Sequence, residues 1–139
     1  GKGSSLEAQN LALFGVRSFE KAEAELFAQL QILHIPMKNI SQDNIRAHLS
    51  ALREYVLKQA DYFAISLDID AIDPTDAPGV GVPEFGGISG EPLCKALAQF
   101  NNDPLFLGLE ISEYSPEFDQ NDKTLHLISE IVVALFGQT

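Results

Sequence analysis

Apolar residues along the chain fall into short runs typical of buried strands and into longer segments with helical spacing. The short runs predict four strands, one of them weak and interrupted by proline. The segments between them predict four helices. The strands are predicted at residues 11–16, 35–40, 62–67 and 104–114, and the helices at residues 18–33, from 41 onward, at 91–100 and through 125–135.

The helical segments carry apolar stripes at a spacing of three or four residues, which would face a core. Ser18 is predicted to cap the first helix and Asn121 or Asp122 the last one, which Gly137 would end. Alternation of strands and helices predicts an α/β fold of three layers, α/β/α, with a parallel sheet, right-handed crossovers and helices on both faces. The clearest stripes comprise Ile45, Leu49, Leu52 and Val56; Leu93, Leu97 and Phe100; and Leu125, Ile128, Val132 and Leu135.

Composition favours a single domain over residues 1–139, because the length suffices for one core and 45% of the residues are hydrophobic. Nine basic and twenty acidic residues give a net charge of −11, so nucleic acid and anionic membrane surfaces are not expected as partners. No apolar stretch reaches the ~18 residues of a spanning helix. Cys94 is the only cysteine, which excludes an internal disulfide and suits a cytoplasmic protein.

The strongest candidate for chemistry is a pair of carboxylates where the third predicted strand ends. Because side chains alternate faces along a strand, Asp68 and Asp70 are expected on one side of it, together with Ser66. Paired carboxylates repel each other unless a cation lies between them, and hard divalent cations prefer oxygen ligands. The alternative is that the pair only leads the strand into an Asx-stabilised turn before Asp73 and Pro74.

A long loop rich in proline and glycine follows the acidic pair, from Asp73 to Ser89. Loops at the carboxyl ends of strands are where open α/β sheets bind their ligands. Asp73 itself is predicted to organise this loop by bonding backbone amides rather than to bind a metal. The loop therefore favours a ligand site near Asp68 and Asp70.

The segment SLDIDAIDPTDAPGVGVPEFGGIS, at residues 66–89, resembles the second metal-binding signature of the ureohydrolase family, which includes arginase, agmatinase and formimidoylglutamase. EISEYSPEFD, at 110–119, is similar to a late strand and turn of that family. LFGVRS, at 13–18, is similar to an earlier strand and its Gly-x-Arg turn. The resemblance covers nearly the whole chain and implies an arginase-like fold, of which this chain would be a carboxyl-terminal fragment.

The resemblance also implies a site with two manganese ions, which together generate a reactive hydroxide from water near neutral pH. By resemblance, Asp68 would bridge the two ions and Asp70 would bind one of them. Glu113 would bind the cationic nitrogen of a small guanidino or formimino substrate, the alternative being a solvated carboxylate at a strand end. No residue of the chain is assigned as a catalytic acid or base.

Other polar residues are predicted to be structural. Arg17, two residues after Gly15, would tie its turn to a neighbouring carboxylate or subunit. The histidines lie within or beside helical stripes and match no ligand position of the family pattern, so no catalytic or metal-binding role is assigned to them. They are His34, His48 and His126.

The chain departs from the family pattern in two ways. It contains neither the Gly-Gly-Asp-His nor the Asp-x-His-x-Asp metal segment, which normally precede the residues seen here. Asp68 and Asp70 cannot complete a two-metal site alone, so we expect the amino-terminal, metal-binding half of a longer enzyme to be absent. In addition, Val80-Gly81-Val82 replaces the Thr-Gly-Thr common in arginases and agmatinases.

The implied function is manganese-dependent hydrolysis of a linear, non-peptide C–N bond in an amidine or guanidine compound of amino-acid metabolism. Residues 77–80 and 113–120 favour formimidoylglutamase, which yields glutamate and formamide, whereas residues 73–74 and 83–87 favour a urea-releasing arginase or agmatinase. A different class of function is a catalytically inactive fragment that acts as a structural or assembly module. Members of the family commonly form homo-oligomers, and the resemblance extends this expectation to the present chain.

Overall fold

The structure, a computed structural model, describes residues 6–17 and 21–137. Within them, strands and α-helices alternate along the chain, as the apolar pattern predicts. In chain order the elements are β1 (Ala12–Val16), α1 (Lys21–Gln29), β2 (Leu33–Pro36), α2 (Ile45–Val56), β3 (Phe63–Asp68), α3 (Gly90–Leu97), β4 (Phe106–Ser112) and α4 (Lys123–Phe136).

The described strands form two parallel pairs. β1 pairs with β2, so that Leu13 lies opposite His34. β3 pairs with β4, so that Asp68 lies opposite Ser112. The predicted parallel direction is confirmed, but β1 and β3 are not hydrogen-bonded to each other within the described residues. The single sheet predicted from the sequence is therefore divided into two pairs of strands.

The core lies on one face of β3, where residues of α2, α3 and α4 join one hydrophobic cluster. Phe63 and Leu67 of β3 are buried in this cluster, whereas Ala64, Ser66 and Asp68 alternate with them and are exposed. Such alternation is typical of a strand with one face against a core and the other face open. Asp68 therefore lies on the open face of the strand.

The predicted buried stripe of the last helix is wrong in part. Leu125 and Val132, which the spacing places toward the core, are exposed. Because α4 is apolar on most of its sides, spacing alone does not decide which stripe faces the core. Neither α4 nor any other helix in the described residues is long and apolar enough to cross a membrane. The buried residues of α4 are Thr124, Leu127, Ile131 and Leu135.

The cap of α4 also differs from the prediction. Asp122 precedes the helix, but its side chain makes no capping hydrogen bond. The Asp119 carboxylate instead accepts the N–H groups of Thr124 at 2.9 Å and Leu125 at 3.0 Å. Those donors have no partner inside the helix, so Asp119 stabilises its first turn. Asp119 lies one turn before the helix. A prediction that looks for the cap immediately before the apolar stripe therefore does not find it.

The first predicted helix is too long at its carboxyl end. α1 ends at Gln29, and Leu33 already belongs to β2. Gln31 between them has a φ of +54°, a left-handed conformation that turns the chain out of the helix. The predicted cap, Ser18, lies outside the described residues.

Two other boundaries are shifted. β2 ends at Pro36, and a 3₁₀ turn at Met37–Asn39 replaces the rest of the predicted strand. α2 begins at Ile45 rather than at Ser41, because the Ser41 N–H is bound at 2.8 Å by the Asn44 side chain in a turn that precedes the helix. Side chains such as Asn often bond to nearby backbone in this way and compete with helix formation.

Candidate metal and substrate site

β3 and β4 bring acidic residues to one edge of the molecule. Their register places Asp68 opposite Ser112, the last residues of the two strands. Because the strands are parallel, their carboxyl ends meet at the same edge. Asp70 follows β3 by two residues, and Glu113 follows β4 directly. We call Asp68, Asp70 and Glu113 the acidic edge.

Asp68 and Asp70 do not have the strand geometry that the sequence predicts. β3 ends at Asp68, and Asp70 belongs to a 3₁₀ turn at Ile69–Ala71. The Asp68 carboxylate accepts the N–H of Asp70 at 2.8 Å. Strand alternation through Asp70 is therefore wrong, and the Asx-type turn considered as the alternative is present. Both residues nevertheless line the same cavity.

Asp70 lies in an unfavourable environment for a carboxylate. Its Oδ1 is buried and has no hydrogen-bond partner among the described residues. Burial raises the pKa of the Asp70 carboxyl, the neighbouring charges of Asp68 and Glu113 raise it further, and Arg17 opposes them with a smaller effect. A buried acceptor without a donor costs free energy. A cation or a donor from outside the described residues would therefore stabilise Asp70.

Arg17 ties the end of β1 to the acidic edge. Its guanidinium donates hydrogen bonds to the backbone carbonyls of Asp70 and Glu84. The Arg17 side chain is only 13% exposed, and its Nε lies 3.9 Å from a carboxylate oxygen of Glu84. Because Arg17 holds the carbonyl of Asp70, it positions the turn and leaves the Asp70 carboxylate available. The structural role predicted for Arg17 agrees with these contacts.

Glu113 has a backbone conformation that residues other than glycine seldom adopt. Its φ is +64°, in the left-handed region. Such positions cost free energy and are concentrated at functional sites. The residue is exposed, yet its charge raises the pKa of the Asp70 carboxyl. An accessible carboxylate beside a second, partly buried one suits the binding of a cationic group.

Asp73 organises the loop after β3, as the sequence predicts. Its carboxylate accepts the N–H of Thr75 at 2.9 Å, the Thr75 hydroxyl at 2.7 Å and the N–H of Gly86 at 2.8 Å. These bonds, above all the one from the Thr75 hydroxyl, lower the pKa of the Asp73 carboxyl. Because its oxygens already have donors, Asp73 belongs to the scaffold of the loop.

The far end of this loop returns to the turn that carries Asp70. The Ile88 N–H donates to the Ala71 carbonyl, and the Ile88 carbonyl accepts the Asp73 N–H, both at 2.9 Å. Gly87 lies so close to this turn that a Cβ atom would come within 2.5 Å of the Asp73 nitrogen. The glycine of the motif is therefore required for the close approach of the two backbones.

The middle of the loop is anchored to α4 and to the segment after β4. The Gly79 N–H donates to the buried Thr124 hydroxyl at 2.7 Å. The Gly79 carbonyl accepts the N–H of Ser115 at 2.8 Å. Thr124 is fully buried, and its hydroxyl oxygen has the Gly79 N–H as a donor. The loop is thus fixed at both ends and at its centre, which gives the acidic edge a rigid support.

Glu110 receives no role from the sequence, yet it lies beside the acidic edge. The register places Glu110 opposite Ser66, whose hydroxyl donates to the Glu110 carboxylate. Side chains of Ser66 and Asp68 share the open face of β3, and Glu110 and Ser112 share the corresponding face of β4. The alternation of side chains along β4 is the sequence feature that could identify Glu110, because it places Glu110 on the same face as Ser112.

The histidines and the cysteine are not part of this site. None of them lines the cavity that contains Asp68 and Asp70. Burial raises the pKa of the Cys94 thiol to about 11, with a further contribution from Glu130, so the thiol stays protonated at neutral pH. The histidines, which sequence reasoning also leaves without chemistry, are His34, His48 and His126.

The oxygen donors of the acidic edge suit a hard divalent cation, but they are too few to hold one. Within residues 6–17 and 21–137, no group of three or more His, Cys, Asp or Glu side chains is arranged to bind a metal ion. Divalent cations of this kind take several oxygen or nitrogen ligands. Asp68 and Asp70 therefore fit one part of a metal site, and its other ligands have to come from elsewhere.

The strands are parallel and alternate with helices, and polar side chains lie where two of the strands end. These features define an α/β domain of the ligand-binding type. The family model described as the Arginase family matches residues 2–137. The chain belongs to this family. The match confirms the resemblance to ureohydrolases.

Curated arginases and solved structures resemble the chain over nearly all of its length. Arginase from Bacillus caldovelox is 26% identical over 138 residues, which are 99% of this chain and 46% of the relative. The crystal structure of arginase from Bacillus subtilis has a TM-score of 0.89 at 27% identity and is matched over 99% of this chain and 50% of that one. These likenesses confirm the arginase-like α/β fold.

Formimidoylglutamase from Bacillus subtilis subsp. subtilis str. 168 has a TM-score of 0.85 at 24% identity, over 93% of this chain and 41% of that one. At this identity the likeness shows a shared fold alone. The chain spans about half the length of the curated relatives it matches.

Proposed function

We propose that the complete protein containing this chain hydrolyses a linear, non-peptide C–N bond in an amidine or guanidine compound, with manganese as its cofactor. Membership of the Arginase family supports this class of reaction. One observation carries the proposal to particular residues: the buried Oδ1 of Asp70, next to Asp68, has no hydrogen-bond partner in the described part of the chain. An oxygen in that position lacks only a cation or a donor.

Asp68 and Asp70 are the proposed metal ligands, and bound manganese would supply an activated water for hydrolysis. The 3₁₀ turn and the hydrogen bond from Arg17 to the Asp70 carbonyl hold the Asp70 backbone in place before any ion binds. Glu113 is the proposed ligand of the cationic nitrogen of the substrate. A charge-assisted hydrogen bond there would orient the planar amidine or guanidine group for attack.

Formimidoylglutamate is the lead substrate, which one water would convert to glutamate and formamide. This assignment is supported by the sequence of residues 77–80 and of residues 113–120. The second of these stretches contains Glu113 and Asp119, so it contributes both to the acidic edge and to the cap of α4.

Arginine or agmatine is the second candidate substrate, with urea as the product. The observation in favour of it is that curated relatives which match the chain are arginases, at 26% and 28% identity. Asp73-Pro74 and residues 83–87 also favour this candidate.

A function of another class is that the chain serves as a structural or assembly module without catalysis. The shortage of metal ligands within the described residues favours it for the isolated chain. The proposal of catalysis accordingly concerns a longer protein. We also infer that it is cytoplasmic, in keeping with the single cysteine, Cys94, of this chain.

The test compares this chain with the longer protein encoded by its gene. Manganese stoichiometry is measured by equilibrium dialysis, and release of formamide or urea is measured with formimidoylglutamate, arginine and agmatine. We expect the longer protein to bind two manganese ions per site and to release formamide. The chain alone should bind less than one ion and release neither product.

Each outcome of this test has a defined meaning. Release of urea alone would overturn the lead substrate and leave the reaction class intact. A longer protein without metal or turnover would contradict the proposed catalysis and support the module. Two bound ions with turnover in the short chain would show that its site is complete.

A matched pair of variants assigns the metal ligand. In the longer protein, Asp70→Asn should lower manganese occupancy at least tenfold, whereas Asp73→Asn, three residues away in the scaffold of the loop, should lower it much less. Equal occupancy in both variants would show that Asp70 is misassigned.

A further inference from the structure

Glu113 follows β4 directly, but it does not continue the alternation of side chains along that strand. Ile111, two residues earlier, packs against the core cluster. An extended backbone would place Glu113 on the same face as Ile111. Glu113 is instead exposed, and its φ of +64° is left-handed. The direction of the Glu113 carboxylate therefore depends on what holds the backbone in this conformation.

The segment after Glu113 is held by the loop that follows β3. Tyr114 forms an antiparallel bridge with Val80, which is buried. The Ser115 N–H donates to the Gly79 carbonyl at 2.8 Å. Within a few residues the chain thus changes from the parallel pairing of β4 to an antiparallel pairing with the loop. A left-handed residue allows this turn, and such a conformation persists only where the surrounding structure imposes it.

Gly79 is in turn held by the start of α4. Its N–H donates to the Thr124 hydroxyl at 2.7 Å. A Cβ atom at Gly79 would lie 2.9 Å both from that hydroxyl oxygen and from the Cβ of Asp119, so only glycine allows this approach to the helix. Thr124 is fully buried, and its N–H is bound at 2.9 Å by the Asp119 carboxylate. A buried hydroxyl that is itself fixed therefore determines where Gly79 lies.

A second connection joins the same two regions through side chains. The Tyr114 hydroxyl donates to the Asp119 carboxylate at 3.3 Å. This distance is long for a hydrogen bond between two oxygens, and the bond begins at the end of a side chain. The bonds that pass through Gly79 are shorter and reach the backbone two residues after Glu113. The backbone route is therefore the one that restricts the conformation of Glu113.

We propose that Thr124 is a positioning residue for substrate binding. Through Gly79 and the hydrogen bond from Ser115, its hydroxyl holds Glu113 in the left-handed conformation and so sets the direction of the Glu113 carboxylate at the acidic edge. The last helix thereby controls a residue at the end of β4.

The effect on substrate binding rests on the proposed function, in which Glu113 binds the cationic nitrogen of the substrate. The effect on the conformation of Glu113 does not rest on it, because it follows from the hydrogen bonds of Thr124, Gly79 and Ser115 alone. The two effects are therefore measured separately, first in this chain and then in the longer protein.

The first experiment uses the 139-residue chain. Thr124→Val keeps the shape of the side chain but leaves the buried Gly79 N–H without an acceptor, whereas Thr124→Ser keeps the hydroxyl. Nuclear magnetic resonance measures amide exchange at Gly79 and Ser115, and the three-bond coupling between the amide and α protons of Glu113, which depends on φ. In Thr124→Val we expect at least tenfold faster exchange at both amides and an altered coupling. Thr124→Ser should resemble the unaltered chain.

Ile131→Ala is the control for a general weakening of α4. Ile131 is also fully buried on this helix but lies about two turns beyond Thr124. Its truncation should lower the free energy of unfolding and leave the Glu113 coupling unchanged. An unchanged coupling in Thr124→Val, or the same change in Ile131→Ala, would overturn the proposal. If Thr124→Val does not fold, Thr124→Ala, which places no γ-methyl group against the Gly79 N–H, is measured in its place.

The second experiment uses the longer protein encoded by the gene. Thr124→Val should raise the KM for formimidoylglutamate about tenfold, because a misdirected Glu113 carboxylate binds the substrate less well. Manganese occupancy should change less than twofold, since the hydrogen bonds that hold the Asp70 turn do not involve Gly79. Thr124→Ser should restore the KM, and Ile131→Ala should leave it within twofold. Parallel losses of manganese and of substrate binding would show a general structural role and overturn the proposal.

A double-mutant cycle tests whether Thr124 acts through Glu113. Glu113→Gln alone should lower kcat/KM, and the addition of Thr124→Val should lower it less than twofold further, because both changes affect one interaction. A further tenfold loss would show that Thr124 acts independently of Glu113 and would overturn the proposal. If Glu113→Gln leaves kcat/KM unchanged, the proposed function of Glu113 fails, and the Glu113 coupling in the 139-residue chain still decides whether Thr124 holds its conformation.

Discussion

Asp70 and Asp73 are three residues apart, but their carboxylates have opposite environments. Asp73 accepts hydrogen bonds from Thr75 and Gly86, and these lower the pKa of its carboxyl. Asp70 has a buried oxygen that no group within residues 6–17 and 21–137 contacts by a hydrogen bond, and burial raises the pKa of its carboxyl. A carboxylate whose oxygens accept hydrogen bonds within the chain belongs to the scaffold. A carboxylate with a buried oxygen that accepts none is available to a ligand.

Asp119 belongs with Asp73 in this comparison. Burial by itself would raise the pKa of the Asp119 carboxyl, but hydrogen bonds, chiefly from Thr124, outweigh it and lower the pKa. Its oxygens bind the N–H groups of Gln120, Thr124 and Leu125. The scaffold carboxylates therefore hold the loop after β3 and the start of α4, the two supports of the acidic edge.

The largest effect on stability is expected for Asp119→Ala. The change removes the cap of α4 and leaves amides at its first turn without an acceptor, so we expect a loss of about 2 kcal/mol in the free energy of unfolding. Urea denaturation of the 139-residue chain measures it. The control is Glu117→Ala, an exposed carboxylate nearby, for which the change should stay within ~0.5 kcal/mol. Equal losses would show that Asp119 is not the cap.

A smaller loss is expected for Asp73→Ala. The substitution removes an acceptor of the Thr75 and Gly86 N–H groups at the surface, where water can replace part of the bonding. We expect a loss of about 1 kcal/mol in the same denaturation experiment. Faster amide exchange at Thr75 and Gly86 should accompany it. A stable variant with unchanged exchange would contradict the scaffold role of Asp73.

The stabilisation by both scaffold carboxylates should weaken in acid. Because the pKa values of Asp73 and Asp119 are lowered by folding, their contribution is fully present above the unfolded-state pKa. It is lost as the pH falls through the lowered folded-state pKa. The stability difference between the unaltered chain and Asp119→Ala should therefore shrink on acidification, as measured by urea denaturation at a series of pH values. A difference that is constant or grows would contradict the sign of these shifts.

The sequence predicts one of the two scaffold carboxylates, Asp73, and misses the other, Asp119, which binds amides of α4 from one turn before the helix. Local chemistry identifies Asp73 as a loop organiser, since an Asp before Pro has acceptors next to backbone amides in its own segment. Strand alternation predicts Asp70 on the strand with Asp68, but the strand ends at Asp68, because the Asp68 side chain binds the Asp70 amide and starts a turn. The choice between strand and turn depends on this one hydrogen bond. The apolar periodicity of the sequence does not reveal it.

Contacts between distant segments account for the remaining differences. The parallel strands follow from the alternation of elements. The division into two pairs does not, because the apolar pattern of side chains does not show which backbone edge of a strand is paired. The buried stripe of α4 could not be chosen either, since Leu125 and Leu127 are equally apolar and only packing against α3 separates them. Periodicity gives the class of each element, and tertiary contacts decide its orientation.

The smallest effect on stability is expected for Asp70→Asn in the isolated chain. Asparagine keeps the shape of the side chain and removes a charge that burial, Asp68 and Glu113 all disfavour. Urea denaturation at neutral pH should therefore give a change within ~0.5 kcal/mol, or a slight gain, in contrast to the loss for Asp73→Ala. A loss of 1 kcal/mol or more by Asp70→Asn would place Asp70 among the scaffold carboxylates and remove the physical reason for a ligand at the acidic edge.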